Sequence, residues 1–216
     1  TEKSTIASKW NSVYLMGNAD FNSLSNTTST QGVNVTFNNT VATDSWASLP
    51  GTEKEINTLQ SLFISKKISV ITTSGTKATE EKFKSLNNAS PSIIHLATHG
   101  FFLPDPAIKK TTNTVTNTEN SYALSNEPLM RSGVIMAGAN KAWSKQKIPA
   151  GIEDGILTAY EIAQLNLSNT QLVVLSACET ALGDLQGTEG VFGLQRAFKI
   201  AGVKNLIVSL WQVPDK

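Results

Sequence analysis

The sequence has few residues that bind metals or form covalent bridges. It contains one cysteine and two histidines in 216 residues. A single cysteine cannot form a disulfide within the chain, which suits a reducing compartment and predicts a cytoplasmic protein. Two histidines and one thiol are also a poor ligand set for zinc, so we expect neither a metal nor another cofactor.

The chain also has no large net charge of either sign. Lysine and arginine total 18 against 17 acidic residues, for a formal net charge of +1. Arginine, the residue best suited to reading phosphate, occurs only at Arg131 and Arg196. No apolar run reaches membrane-spanning length, and the first residues lack a signal-peptide pattern. We therefore expect no direct contact with nucleic acid and no membrane association.

Short apolar runs alternate with helical patterns along a chain whose length suits one large domain or two small ones. Strands that are apolar almost throughout and alternate with helices predict a mostly parallel sheet with helices on both faces. The predicted strands are Ser12–Gly17, Ile68–Thr72, Ser92–Ala97, Ser132–Ala137, Leu172–Ser176 and Val203–Leu210. Four helices are predicted. The first begins at Thr52 as the N-cap and has an apolar face formed by Ile56, Leu59, Leu62 and Phe63. The others are Thr76–Leu86, Thr158–Leu165, which starts with a capping box, and Val191–Ile200.

Three segments between these elements are mostly polar or show no regular helix or strand pattern. They are Asn18–Ser48, in which Val33–Phe37 is a candidate hairpin, Pro104–Glu127 and Asn140–Asp154. Long loops in compact domains are commonly functional or disordered. We expect the Pro104–Glu127 segment to regulate access to a site.

Two of the predicted strands lead to reactive side chains. The third leads to His99 and Gly100, and the fifth leads to Cys178. In open parallel sheets, ligands bind outside the carboxyl ends of the strands. A thiol attacks a carbonyl as the thiolate, and a neutral imidazole can take its proton, so the pair predicts a cysteine–histidine hydrolase.

Purely structural interpretations of the same residues remain open at this point. A lone cysteine after an apolar strand is usually a small buried side chain, and a His-Gly pair is usually a turn. His95 lies inside the apolar run, which predicts a half-buried strand histidine without a catalytic role. In the hydrolase interpretation, the backbone N–H groups of Gly100 and Cys178 are candidates for an oxyanion hole.

Acidic residues near these strands are candidates for substrate binding. Glu153 and Asp154 would favour Lys or Arg at P1, the substrate residue before the scissile bond. An equally good interpretation is loop solvation or capping before Ile156. Glu179 directly follows the cysteine and is a third candidate, although its position favours holding the loop by backbone hydrogen bonds. An apolar P1 pocket built from Trp143 or Trp211 is the alternative.

Four blocks of sequence in this order, with two shorter stretches before them, resemble a CHAT domain. CHAT domains are caspase-like cysteine peptidases of the clan that also contains caspases, separase, gingipains and legumain. The blocks are Ile94–Gly100, Asp154–Ile162, Leu175–Ala181 and Gly193–Phe198 with Trp211–Asp215, and the earlier stretches are Tyr14–Asn18 and Leu49–Glu55.

The resemblance implies a caspase-like three-layer sandwich, with residues 1–216 as a single peptidase domain. It implies a dyad of His99 and Cys178 that works through a thioester acyl-enzyme, with the oxyanion hole at Gly100 and Cys178. CHAT domains usually continue past the final Trp-x-Val-Pro-Asp block. We therefore expect this domain to lack its C-terminal part, as in a truncated chain or a processed large fragment whose small fragment is separate.

The resemblance also implies partners. Bacterial members occur fused to, or encoded beside, repeat domains that sense a trigger, and some cut a dedicated protein such as a bacterial gasdermin in antiphage defence. We expect a protein substrate and a repeat-type sensor or a small C-terminal fragment as partners.

Two rival functions stay open. A catalytically silent caspase-like scaffold has no need of both His99 and Cys178. A non-peptidase acyl hydrolase or amidase lacks support because no orienting Asp or Asn motif is evident.

Overall fold

The computed structural model describes residues 10–23, 45–103, 122, 125, 127–179 and 188–208, with the backbone alone described at 178–179 and 188–191. The Val33–Phe37 hairpin, most of Pro104–Glu127 and Trp211 lie outside the described residues. The strands are β1 Ser12–Ala19, β2 Ser69–Gly75, β3 Ile93–Phe102, β4 Ser132–Ile135, β5 Ile156–Thr158, β6 Leu172–Glu179 and β7 Asn205–Val208. The helices are α1 Gly51–Ser65, α2 Glu80–Lys84, α3 Ala139–Trp143, α4 Ala159–Ala163 and α5 Thr188–Ile200, with a 3₁₀ turn at Pro128–Arg131.

The seven strands in the described part of the chain form one mostly parallel sheet, as the sequence predicts. Strands β2, β1, β3, β6 and β7 are parallel neighbours in that order, and β4 and β5 add an antiparallel extension. Central β3 pairs with β6 over Ile93–Gly100. Its other edge is divided, because β1 pairs with Ile93–Leu96 and β4 pairs with Gly100–Phe102. The sheet therefore opens between β1 and β4 beside Ala97–His99.

Helices cover both faces of the sheet, which confirms the caspase-like sandwich. Alternate residues of the strands point to opposite faces. On one face, Val13, Leu15 and Ile93 pack with Ile56 of α1 in the smaller core. On the other, Tyr14, Met16, Ile94, Leu96, Val173 and Leu175 join side chains of α2, α4 and α5 in the larger core. Among the described residues, no helix has the length and apolar character to cross a membrane.

The start of α1 differs from the prediction. Thr52 is not the N-cap, because Pro50 occupies that position and Thr52 is buried in the first turn. The Thr52 hydroxyl donates to the Leu49 carbonyl at 2.6 Å and accepts from the Asn18 N–H at 2.7 Å, which ties α1 to the end of β1. Leu62, expected on the apolar face, is 50% exposed. Helical geometry places it about 120° from Ile56, at the margin of the face that meets the sheet.

Helices α2 and α4 are confirmed in position but are shorter than predicted, whereas α5 begins at Thr188, before the predicted Val191. Thr79 caps α2 by accepting from the Lys82 N–H at 3.2 Å. The capping box of Thr158 and Glu161 forms as expected at α4. Helix α3 overlaps the start of the Asn140–Asp154 segment, which was predicted to be irregular, and that prediction is wrong over Asn140–Trp143. Five residues are too short to show a helical period, and Gly138 starts the helix with φ of +86°.

Candidate active site

His99 and Cys178 occupy paired positions on adjacent parallel strands. The β3–β6 register matches Thr98 with Ala177, His99 with Cys178, and Gly100 with Glu179. Neighbouring strands lie about 4.8 Å apart, so the backbones of the two candidate catalytic residues are next to each other. Both residues lie near the carboxyl ends of their strands, as predicted. They are inside the strands, however, whereas the sequence suggested that the strands stop before them.

The His99 ring is buried and tightly surrounded. It is 4% exposed and lies between the rings of Phe21 and Trp46, each at a centroid distance of 5.2 Å. Its Nε2 atom is 2.7 Å from the carbonyl oxygen of Ala47. A carbonyl oxygen only accepts, so Nε2 carries the hydrogen, and in the neutral ring the basic lone pair is then on Nδ1. The backbone of Ala47 thus fixes the tautomer of His99.

The segment that contributes Trp46 and Ala47 is held from the opposite side by α3. The Trp46 N–H donates to Asn140 Oδ1 at 2.7 Å, and the Asn140 amide donates to the Trp46 carbonyl at 3.1 Å. The Trp46 and Trp143 rings meet edge to face at a centroid distance of 4.9 Å. Sequence reasoning missed this support for His99, because a backbone acceptor such as Ala47 leaves no pattern in the sequence.

Gly100, a candidate oxyanion-hole residue, is enclosed by neighbouring strands. It pairs with Val134 of β4 on one side and with Glu179 of β6 on the other. Among the described residues, a Cβ added at Gly100 would come no nearer than 3.6 Å to another atom, an ordinary contact with Ala177. Packing against these residues therefore does not demand glycine at this position. The oxyanion hole formed by Gly100 and Cys178 stays a prediction, and the proposed substrate contact of Glu179 does too.

His95 lies on the same face of β3 as His99 but has different partners. Its Nε2 atom is 2.9 Å from Glu55 Oε1, and Glu55 Oε2 accepts from the Ser176 hydroxyl at 3.1 Å. Burial acts to raise the pKa of Glu55, but the hydrogen bond and charge of His95, with the bond from Ser176, outweigh it and lower the pKa. Glu55 therefore joins the two strands that carry His99 and Cys178.

The acidic substrate-binding candidates already have partners within the protein. Glu153 Oε1 is 2.9 Å from the Lys84 ammonium. Asp154 accepts from the Tyr122 hydroxyl at 2.6 Å and from the Ile156 N–H at 2.9 Å. The bond to Ile156 matches the capping interpretation of Asp154. Between Asp154 and His99 lie three aromatic side chains in succession, Tyr122, Trp143 and Trp46.

Lys84 is the centre of an acidic cluster. Its ammonium is 2.7 Å from Glu80 and 3.0 Å from Glu161, in addition to Glu153. Burial alone would lower the pKa of Lys84, but hydrogen bonds to the three carboxylates raise it. Glu80 is 1% exposed, and burial raises its pKa to about 8 against the opposing effect of Lys84. Oxygens of the three glutamates lie within 4.8 Å of one another, but Lys84 already supplies the cation among them.

Comparison with known proteins decides the family. The sequence model of the CHAT domain matches residues 3–216. The chain belongs to the CHAT domain family. The caspase-like peptidase fold of that family agrees with the parallel sheet described above.

A curated relative of this CHAT domain is tetratricopeptide repeat protein 28 of Mus musculus. The two are 29% identical over 171 residues, which is 78% of this chain but 7% of the relative. The chain thus spans only a small part of that protein. No solved structure matches this chain.

Proposed function

We propose that this CHAT domain is a cysteine endopeptidase with His99 as the base and Cys178 as the nucleophile. The observation that carries the proposal is the register that pairs the two residues on adjacent strands. The hydrogen bond from His99 Nε2 to Ala47 adds support, because it gives the ring the tautomer in which Nδ1 is basic. This backbone acceptor takes the orienting role that no Asp or Asn motif in the sequence provides.

In the proposed reaction, His99 takes the thiol proton as the Cys178 sulfur attacks the carbonyl carbon of the substrate. The resulting oxyanion is stabilised by the N–H groups of Gly100 and Cys178. The intermediate collapses, the C–N bond breaks, and protonated His99 gives its proton to the leaving amine. Water then adds to the thioester with His99 as base, and the acid product leaves as the thiol is restored.

The substrate and the control of the enzyme are further parts of the proposal. We infer a dedicated protein substrate, such as a bacterial gasdermin cut during antiphage defence, and a repeat-type sensor that controls cleavage. The resemblance to CHAT domains supports both. The sensor has additional support because the mouse relative is named for its tetratricopeptide repeats and extends far beyond the matched segment.

For P1 we propose a basic residue attracted by Asp154, with Glu153 beside it. The opposing observation is that both carboxylates have internal partners, so a substrate cation would have to share or displace them. A fluorogenic peptide panel compares Lys, Arg, Leu and Met at P1 for the wild type and for Asp154→Asn, with Glu53→Gln as a surface control. Asp154→Asn should selectively weaken cleavage after Lys and Arg. An unchanged preference would exclude Asp154 as its cause, and a wild-type preference for Leu or Met would favour an apolar pocket at Trp143 or Trp211.

The central test compares new protein N-termini produced in host lysate by the full protein and by Cys178→Ala. Cleavage sites that require the thiol would establish the peptidase, and the residues before the cuts would give P1 directly. If the two samples match, a thiol-reactive probe separates the remaining cases. Labelling of Cys178 that disappears in His99→Ala indicates a latent enzyme, whereas equal labelling of both favours the interaction scaffold.

A further inference from the structure

Asn140 is a buried polar residue whose side chain and backbone N–H bind the two segments that flank His99. It is 7% exposed and lies in the first turn of α3. Its Oδ1 accepts from the Trp46 N–H at 2.7 Å, and its Nδ2 donates to the Trp46 carbonyl at 3.1 Å and to Asn22 Oδ1 at 2.9 Å. Its own backbone N–H donates to the Phe21 carbonyl at 2.9 Å. One residue therefore holds both segments that flank the histidine.

The groups held by Asn140 are those that fix the His99 ring. Phe21 and Trp46 supply the rings on its two sides. Ala47, whose amide nitrogen follows the clamped Trp46 carbonyl, supplies the acceptor for Nε2 at 2.7 Å. Because the side-chain amide binds the N–H and the C=O of Trp46 together, it sets the orientation of the peptide that leads into Ala47.

We propose that Asn140 is a positioning residue for His99, acting through Trp46 and Ala47. The role suits asparagine, because the clamp needs a donor and an acceptor on one short side chain. Aspartate would keep the acceptor but place a second oxygen against the Trp46 carbonyl. The left-handed Gly138, with φ of +86°, turns the chain after β4 so that Asn140 enters this position.

The inference rests on the proposed function, so its test needs a measurement that does not depend on cleavage. The variants are Asn140→Leu, which keeps the shape but removes both polar atoms, and Asn140→Asp, which keeps the acceptor. Asn87→Ala is the matched control, since Asn87 also binds a backbone N–H, that of Asn166, but lies on the exposed surface. All are made in the full chain, with thermal unfolding to establish folding.

Two measurements report on the position and hydrogen bonding of the His99 ring. The first is its Nε2–H proton resonance, which the bond to Ala47 should shift downfield and protect from exchange. The second is the rate at which iodoacetamide alkylates Cys178 as a function of pH. We expect Asn140→Leu to lose the protected resonance and to lower the alkylation rate at neutral pH by about 10- to 100-fold, because misplacing a catalytic group by about 1 Å has effects of this size. Asn140→Asp should show a smaller loss, and Asn87→Ala none.

A folded Asn140→Leu variant that keeps the protected resonance would overturn the inference. Equal alkylation of Cys178 in the wild type and in His99→Ala would contradict the proposed dyad. The Nε2–H resonance would still test whether Asn140 positions the His99 ring. If both Asn140 variants fail to fold, hydrogen exchange in the wild-type protein tests the inference instead. A shared clamp requires the His99 Nε2–H and the Trp46 N–H to have similar protection factors once each is corrected for its intrinsic exchange rate, and clearly different protection factors would exclude it.

Discussion

The two histidines of β3 lie four residues apart on the same face, yet their surroundings differ. Both are buried, at 6% exposure for His95 and 4% for His99. The nearest polar partner of His95 is the carboxylate of Glu55, which also accepts from Ser176. The ring of His99 instead donates to a backbone carbonyl and lies between two aromatic rings.

This contrast shows how the partner of an imidazole determines its use. A carboxylate provides an ionic partner, and here it also connects α1 to two strands, which gives His95 a structural role. A carbonyl fixes the tautomer without adding charge, so the ring can gain and lose a proton during a reaction. His99, the proposed catalytic histidine, thus differs from His95 in what the Trp46–Ala47 segment supplies, although both rings lie on the same face of β3.

The largest expected difference between the two histidines is in catalysis. His99→Ala should lower kcat/KM by at least about 10³-fold, because it removes the proposed proton acceptor. His95→Asn should change kcat/KM by no more than about 3-fold while lowering the free energy of unfolding by about 1–3 kcal/mol, since it breaks the bond to Glu55. Peptide cleavage and urea unfolding measure the two effects. Equal losses of activity in folded proteins would remove the distinction.

An intermediate effect is expected from Glu55→Gln, with a defined pH dependence. The folded state lowers the pKa of Glu55, so its carboxylate stabilises the protein above its usual pKa near 4.5. That stabilisation is lost as the pH falls through the lowered value. We expect the wild type to exceed Glu55→Gln in stability by about 1–2 kcal/mol above about pH 5, and the gap to close toward pH 3. Urea unfolding across this range measures it, and a gap that widens in acid would contradict the pKa direction.

The smallest effect is expected from Ser176→Ala. It removes one hydrogen bond to Glu55 but leaves His95 in place, so the loss of stability should be about 0.5–1 kcal/mol. Ser61→Ala, at an exposed serine of α1, serves as the control. A loss as large as that in Glu55→Gln would show that Ser176, rather than His95, is the main partner of the carboxylate.

Much of the fold follows from short-range patterns. Apolar strands separated by helices predicted a mostly parallel sheet, and the Thr158–Glu161 spacing predicted its capping box, because these signals are local. The boundaries were less accurate. Strands β3 and β6 continue through His99 and Cys178 because the pairing with each other and with β4 outweighs the polar residues at their ends.

The site was predictable only in part. Parallel topology brings strand ends together, so His99 and Cys178 could be paired from sequence. The roles of Ala47 and Asn140 could not be predicted. Ala47 acts through its backbone carbonyl, and Asn140 contacts a residue 94 positions away in the sequence. Glu55 was missed as a partner of His95 for a similar reason. Its carboxylate meets β3 and β6 only after α1 packs on the sheet.

The Lys84 cluster constrains how this sequence can change over evolution. One ammonium satisfies carboxylates from α2, from the segment before β5 and from α4. Replacing Lys84 alone would leave those three acids facing one another across less than 5 Å without that counter-ion. Homologous sequences should therefore change positions 80, 84, 153 and 161 together, and a neutral residue at 84 should be accompanied by the loss of at least one glutamate.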